Sequence, residues 1–214
     1  MLRIWGRASS SNVQALMWMV GELSLPYERR DAGFTYGGLD TPEFAALNPN
    51  RTIPVLQDAT NPPIWETGAI LRYLAHTYAD ETFWPTDPFE RARVDQWAEW
   101  AKINVALNFT APLFWRVART APALHDKQAI RLATEKLSAV LRIAEQQLAK
   151  SKWLASDHFT LADIQFGHVL YRYYDIEIER TDLPNLRAYY DRLSARPAFQ
   201  EHVAISYEEL RVLD

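Results

Sequence analysis

None of the 214 residues is a cysteine, which removes disulfides, thiolate metal sites and a cysteine nucleophile together. Any thiol chemistry done by this chain must use a thiol that arrives with a substrate. Glycine (7) and proline (12) are too few for a collagen-like or low-complexity chain. Long apolar runs are missing as well. The longest charge-free stretch, Ala8 to Gly21, contains Ser, Asn and Gln and is too short and polar to span a bilayer. No basic leader precedes an apolar core, so no secretory signal and no membrane contact are expected, and the cytosol is the expected compartment. There is no basic excess: the net charge is -4. The first eighty residues hold 6 Lys+Arg against 8 Asp+Glu, and the remainder 17 against 19, so neither part offers the footprint that nucleic acid needs.

Several enzyme signatures are also absent. No GxxxxGK[ST] or GxGxxG loop is present to cradle phosphate, and no GxSxG elbow presents a hydrolase serine. The five histidines (His76, His125, His158, His168, His202) show neither HExxH nor a comparable ligand spacing, so no metal site is expected.

What remains is the pattern of a folded protein, with 48% hydrophobic and 23% charged residues. Leu2-Arg3-Ile4-Trp5 reads as a strand. Val13, Leu16, Met17, Val20 and Leu23 follow at helical spacing. Tyr27 to Arg30, Ile53 to Leu56 and Ile64-Trp65 read as further strands, the last two joined by the turn cluster from Asp58 to Pro63. The region around Gly33, Gly37 and Gly38 reads as loop, and a second amphipathic helix is expected from Thr67 to Tyr78. The order βαβ, then ββα, implies a small mixed sheet covered by helices over residues 1–79. Residues 80–88 read as a linker. Residues 89–214 carry helical period, with helices expected over 89–110, 123–149, 161–174 and 184–195, a short piece after Pro197, and Pro112, Pro122, Pro184 and Pro197 at the breaks.

Three segments invite a chemical reading beside a structural one. Ser9-Ser10-Ser11-Asn12 lies between the first strand and the first helix. Such residues cap helices, and a hydroxyl at the positive end of a helix also favours a thiolate. In Asn48-Pro49-Asn50-Arg51-Thr52-Ile53-Pro54-Val55, Pro54 enters an apparent strand, where an edge position or a special turn is expected. Trp65-Glu66-Thr67-Gly68 runs a strand directly into a helix, with Thr67 as a cap and Glu66 free to pair with an ammonium group.

Taken in order, these segments resemble the glutathione S-transferase family over essentially the whole chain. Leu25-Pro26-Tyr27-Glu28, Phe159-Thr160-Leu161-Ala162-Asp163-Ile164 and Arg196-Pro197-Ala198-Phe199 extend the likeness. The resemblance implies a thioredoxin-like domain that holds glutathione, an α-helical domain that supplies the second-substrate pocket, and a homodimer. Ser10 precedes Tyr27 by the seventeen residues that separate the active serine from this position in zeta-like members, which makes it the implied catalytic group, with Ser11 behind it and Ser9 a third contender. Ala15 and Asn12 replace the basic residue and the cysteine of the zeta pattern, which weakens assignment to the zeta class and favours a bacterial-type Ser-x-Asn arrangement, so the implied member is a serine-active-site, zeta/theta-like one. Ile53, before a cis Pro54, is implied to bind the cysteinyl part of glutathione through its backbone. Glu66 and Thr67 are implied to hold the γ-glutamyl end, and Arg51 and Thr52 stand near the glycyl end. Along the first helix after the linker, Trp97, Trp100, Asn104, Asn108 and Trp115 lie on one expected stripe. Asparagines are awkward in a dry core, so Trp100, Asn104, Asn108 and Trp115 are read as pocket residues. The implied activity is conjugation of glutathione to a hydrophobic electrophile without a metal. Alternatives on the same site are disulfide reduction, cis-trans isomerisation, or a non-catalytic binding role.

Overall fold

The computed structural model describes residues 1–212. Four strands, β1 (Leu2–Trp5), β2 (Tyr27–Arg30), β3 (Val55–Asp58) and β4 (Ile64–Trp65), form one sheet in the order β2-β1-β3-β4. β1 runs parallel to β2, pairing Leu2 with Tyr27, and antiparallel to β3, pairing Leu2 with Asp58. Helix α1 (Ser11–Glu22) makes the crossover between β1 and β2, as a parallel pair requires. α2 (Pro42–Leu47) precedes β3, and α3 (Thr67–Tyr78) follows β4.

One element in this half has no counterpart in the sequence reading, and one expectation fails. Between Gly38 and Asn48, Thr41 accepts the Phe44 N–H at 3.2 Å and starts α2 with Pro42 in the first turn. Six residues are too few for hydrophobic period to show. Ile53 also lies outside the sheet. β3 begins at Val55, and its place between β1 and β4 makes it an inner strand, so of the edge position or special turn expected at Pro54 the structure has the turn. The proline precedes the ladder and so removes no donor from it.

Beyond the sheet, residues 88–118 form one continuous helical run. It comprises α4 (Pro88–Trp100), a π-helical turn (Ala101–Ala106), α5 (Leu107–Phe109), a second π-helical turn (Thr110–Phe114) and α6 (Trp115–Ala118). Pro112 therefore does not break the helix. The wider i→i+5 pattern around it accommodates the missing N–H. α7 (Lys127–Leu148), α8 (Leu161–Gly167), α9 (Leu170–Asp175), α10 (Pro184–Ser194) and α11 (Pro197–His202) complete the bundle. The single helix expected over 161–174 is interrupted at His168-Val169.

Sheet and bundle share one apolar core. Every residue of α1 from Val13 to Val20 is buried, because α3 of the sheet domain and α8 and α11 of the bundle all pack against α1. Trp18 is fully buried, with the Phe199 ring 4.9 Å and the Phe159 ring 5.6 Å away. The linker is itself anchored, since Phe83 and Trp84 are buried in the same core. Thr160 and Asp163 form the expected capping box at α8. Among the described residues, no helix is long and apolar enough to cross a membrane.

Candidate active site at the start of the first helix

The β1–α1 turn is held by backbone geometry before any side chain contributes. Gly6 takes φ +150, and a Cβ there would lie 2.5 Å from Val13 Cγ2, so only glycine lets the turn approach the helix. The Ser10 N–H donates to the Arg7 carbonyl at 3.2 Å, and the Gln14 N–H donates to the Ser10 carbonyl at 2.8 Å. Ser10 is thus the N-cap residue of α1, but its hydroxyl makes no capping hydrogen bond. The first-turn N–H groups of the helix and this hydroxyl stay available at the half-exposed end of α1.

Three neighbouring serines have different surroundings. Ser9 is buried and its hydroxyl donates to the Glu209 carboxylate. Ser10 and Ser11 are half-buried, and Ser11 is the first residue of α1. Asn12 Oδ1 accepts from Lys102 Nζ at 3.3 Å, across the gap between α1 and the long helical run.

The cis Ile53-Pro54 bond anticipated from the sequence is present, with Pro54 buried and Ile53 half-buried beside Gly6 and Gly33. Its approach is shaped by Asn48, which is buried and donates to the Thr52 carbonyl at 2.9 Å and its hydroxyl at 3.1 Å. Arg51 sits at φ +53, exposed, with its guanidinium near the Asp40 carbonyl at 3.2 Å. Glu66 takes φ +70 at the N-cap of α3, side chain exposed, while Thr67 is buried behind it. A non-glycine residue at that φ is strained, and such strain collects at functional sites.

Four cationic side chains converge on this region, and none was singled out from the sequence. Lys102 is largely buried, which pulls its ammonium down from the ordinary lysine range against the opposing charges of Glu66 and Glu99. Arg172, 3% exposed, donates to the Ser9 carbonyl at 2.5 Å and to Gln14 Oε1 at 3.3 Å. Burial lowers the Arg172 guanidinium to about 10, and the Phe114 and Tyr207 rings lie 4.8 and 5.2 Å from it. Arg7 and Arg119 flank the exposed Phe34 ring at 5.3 and 5.5 Å. Local sequence carries no signal for this convergence, although a buried Gln14 opposite a charged residue on a helix of aromatics is the kind of pairing that contact information would find.

The expected aromatic stripe is divided. Trp100 packs edge-on to Trp97 at 5.2 Å and to Phe166 at 5.5 Å, so it belongs with the core, not with a pocket. Asn104 is exposed, and Asn108 is half-buried and donates back to the Asn104 carbonyl at 2.6 Å. Trp115 is exposed beneath Arg119, whose guanidinium lies 5.0 Å from its ring. Each π-helical turn shifts the phase of the helix, so residues aligned at a 3.6-residue period no longer share one face. Larger depressions, of about 610 and 580 Å3, lie at the linker and against α7. Among the described residues no group of three His, Cys, Asp or Glu side chains is placed to hold a metal ion.

Comparison with known proteins agrees with this arrangement. Residues 1–76 match the family model for the glutathione S-transferase N-terminal domain, and residues 108–197 the model for its C-terminal domain. Glutathione S-transferase GstB of Escherichia coli is 34% identical over 206 residues, covering 96% of this chain and 99% of the relative. Glutathione S-transferase 3 of Zea mays is 32% identical, over 95% of this chain and 93% of the relative. A theta class glutathione S-transferase from Xanthomonas axonopodis pv. citri, solved with glutathione bound, superposes with a TM-score of 0.90 at 40% identity, over 96% of this chain and 98% of its own. A thioredoxin-like sheet followed by a helical bundle, with a serine-rich turn at the start of the first helix, places this chain in the glutathione S-transferase family.

Proposed function

We propose that this glutathione transferase binds glutathione along the cis Ile53-Pro54 turn and activates its thiol at Ser10. The observation that carries this reading is the Ser10 hydroxyl: it stands at the N-cap of α1 without a capping partner, while the Ser9 hydroxyl is engaged by Glu209. A thiol near ~8.5 must fall by about two units to be mostly ionised at neutral pH, which corresponds to roughly 2.7 kcal/mol. A hydroxyl donating to a charged sulfur contributes about 1.5–3 kcal/mol, and the helix end about 0.3–1. Those two contributions suffice without a metal or a general base.

The other groups follow from the same placement. The Ile53 backbone pairs with the cysteinyl unit as an added strand, and the strained Glu66 with the α3 N-terminus receives the γ-glutamyl ammonium and carboxylate. Ser11 and Asn12 line the thiol end, with Lys102 supplying a second positive charge behind Asn12. Arg51 and Thr52 stand exposed where the glycyl end lies. Residues 1–79 act as the glutathione domain, 80–88 as the linker and 89–214 as the electrophile domain. A cytoplasmic homodimer is the expected form, supported by the exposed apolar side chains Trp65, Phe89, Ile103 and Leu107, and sedimentation velocity checks it.

Ultraviolet titration of the bound thiolate tests the mechanism. Wild type is expected to ionise glutathione well below the free thiol, and Ser10→Ala to raise that pKa by one to two units (about 1.5–3 kcal/mol) while retaining binding. Full conjugation rate in Ser10→Ala, with loss in Ser11→Ala, would move the role to Ser11.

A further inference from the structure

Positive charge is concentrated beside the thiol site in a chain whose overall balance is acidic. Arg7 belongs to the turn that carries Ser10, through the Ser10 N–H to Arg7 carbonyl bond. Its guanidinium and that of Arg119, from the end of α6, are both within 5.5 Å of the Phe34 ring centre. Arg119 also covers Trp115 and, with Arg116 and Thr120, lines a depression of about 510 Å3. Among the described residues, one carboxylate forms an ion pair with these cations. Glu209 lies 4.0 Å from Arg7 Nε and is shared with the Ser9 hydroxyl. Arg7 Nε is buried and has no hydrogen-bond partner, and among the described residues Arg119 and Arg116 form no ion pair. Two guanidiniums held against one half-exposed aromatic ring repel each other unless an anion sits between them.

We infer that the electrophile taken by this enzyme carries a carboxylate on a flat apolar body, the carboxylate received by Arg7 and Arg119 and the body lying on Phe34 and Trp115. This rests on the reading of Ser10 as the thiol site, which places the reacting carbon next to the Arg7 turn. A guanidinium fork matches a carboxylate in two parallel hydrogen bonds, so the recognition is of shape as well as charge. The charge also steers: an anionic substrate gains on approach and a neutral one does not.

A matched pair of probes tests the inference. 4-(Chloromethyl)benzoate and 4-(chloromethyl)benzamide share ring and leaving group and differ in charge. In each, the thiolate sulfur forms the bond to the benzylic carbon, chloride departs with the electron pair of the broken bond, and the thiol proton has already gone to solvent. With each kcat/KM divided by the uncatalysed rate with glutathione, wild type is expected to favour the benzoate by about tenfold or more, as one charge-assisted pair implies. Arg119→Gln and Arg7→Gln are expected to collapse that preference, and Arg119→Lys to restore part of it. Equal normalised rates in wild type, or a preference that survives both glutamine variants, overturn the inference. So does a rise in the KM for glutathione in Arg119→Gln with the probe preference unchanged, since the arginines would then serve the tripeptide's own carboxylates. Calorimetric binding of 4-methylbenzoate against 4-methylbenzamide separates this inference from the thiol mechanism. Tenfold tighter benzoate binding that Arg119→Gln abolishes supports the arginine site even if the bound thiol is not ionised, and equal binding refutes it.

Discussion

His168 offers the sharpest test of how the buried polar layer supports the site. It is 1% exposed at the interruption between α8 and α9, and its Nδ1 bonds the Ile164 carbonyl at 3.2 Å. That partner is an acceptor, so Nδ1 carries a hydrogen. Burial lowers the ring pKa to about 3, reinforced by the charges of Lys102 and Arg172. Those are the cations that hold Asn12 and the Ser9 carbonyl, so protonating His168 would set a third positive charge between the supports of the α1 terminus. The sign follows from proton binding. The unfolded chain takes up a proton near ~6.5 and the folded chain only near 3, so folding stability is intact above ~6.5 and falls as the pH drops towards 3. Between pH 7 and pH 5 this one group removes about 2 kcal/mol, and over the whole interval about 5 kcal/mol, at 1.36 kcal/mol per unit. For a chain of this length the step from pH 7 to pH 5 lowers Tm by about 4–8 °C. Urea unfolding of wild type and His168→Asn at both pH values isolates the effect, since asparagine keeps a donor for Ile164 and cannot titrate. The variant is expected to be less stable at pH 7 from lost packing and to lose about 2 kcal/mol less than wild type on going to pH 5. Identical pH dependence in the two proteins would refute the neutral, charge-flanked assignment. His202, half-buried and also lowered by burial, contributes with the same sign in both proteins and cancels from the difference.

Two further outcomes follow from packing. Asp163 accepts from the Leu154 N–H at 2.9 Å, the Thr160 N–H at 2.8 Å, the Thr160 hydroxyl at 3.1 Å and the Tyr189 hydroxyl at 2.8 Å, all buried, so Asp163→Ala orphans several donors and is expected to cost about 3–5 kcal/mol in chemical denaturation; a loss below about 1 kcal/mol would show that water replaces the carboxylate. Gly167→Ala would bring a methyl to 2.5 Å from Leu193 Cδ1 and 2.9 Å from the Trp18 ring, and the rigid indole gives less than the leucine, so a cost of about 1–3 kcal/mol is expected by differential scanning calorimetry, with an unchanged Tm as the contrary result.

What the sequence by itself determined is the local grammar. Caps at Thr160-Asp163, the turn from Asp58 to Pro63, the alternation of Leu2-Arg3-Ile4-Trp5 and the period of Val13 to Val20 act over a few residues, and each element forms where those signals placed it. The turn that presents Ser10 and the strand-to-helix step at Glu66-Thr67 were legible for the same reason, although the N-cap of α3 is Glu66 and not the expected Thr67, which is the helix's first residue. Period reading failed where the helix changed period, at the π-helical turns after Trp100, which put the exposed Trp115 out of phase with the inward-facing Trp100. Only the tertiary structure decided which charges meet at the site. Lys102 reaches Asn12 across 90 residues, Arg172 reaches Ser9 across 163 and Gln14 across 158, and Arg119 meets Arg7 over a phenylalanine from a third segment. Burial makes those encounters matter, because a cation removed from water must find an acceptor, a ring or an anion wherever the fold brings one close, and no local spacing encodes that distance.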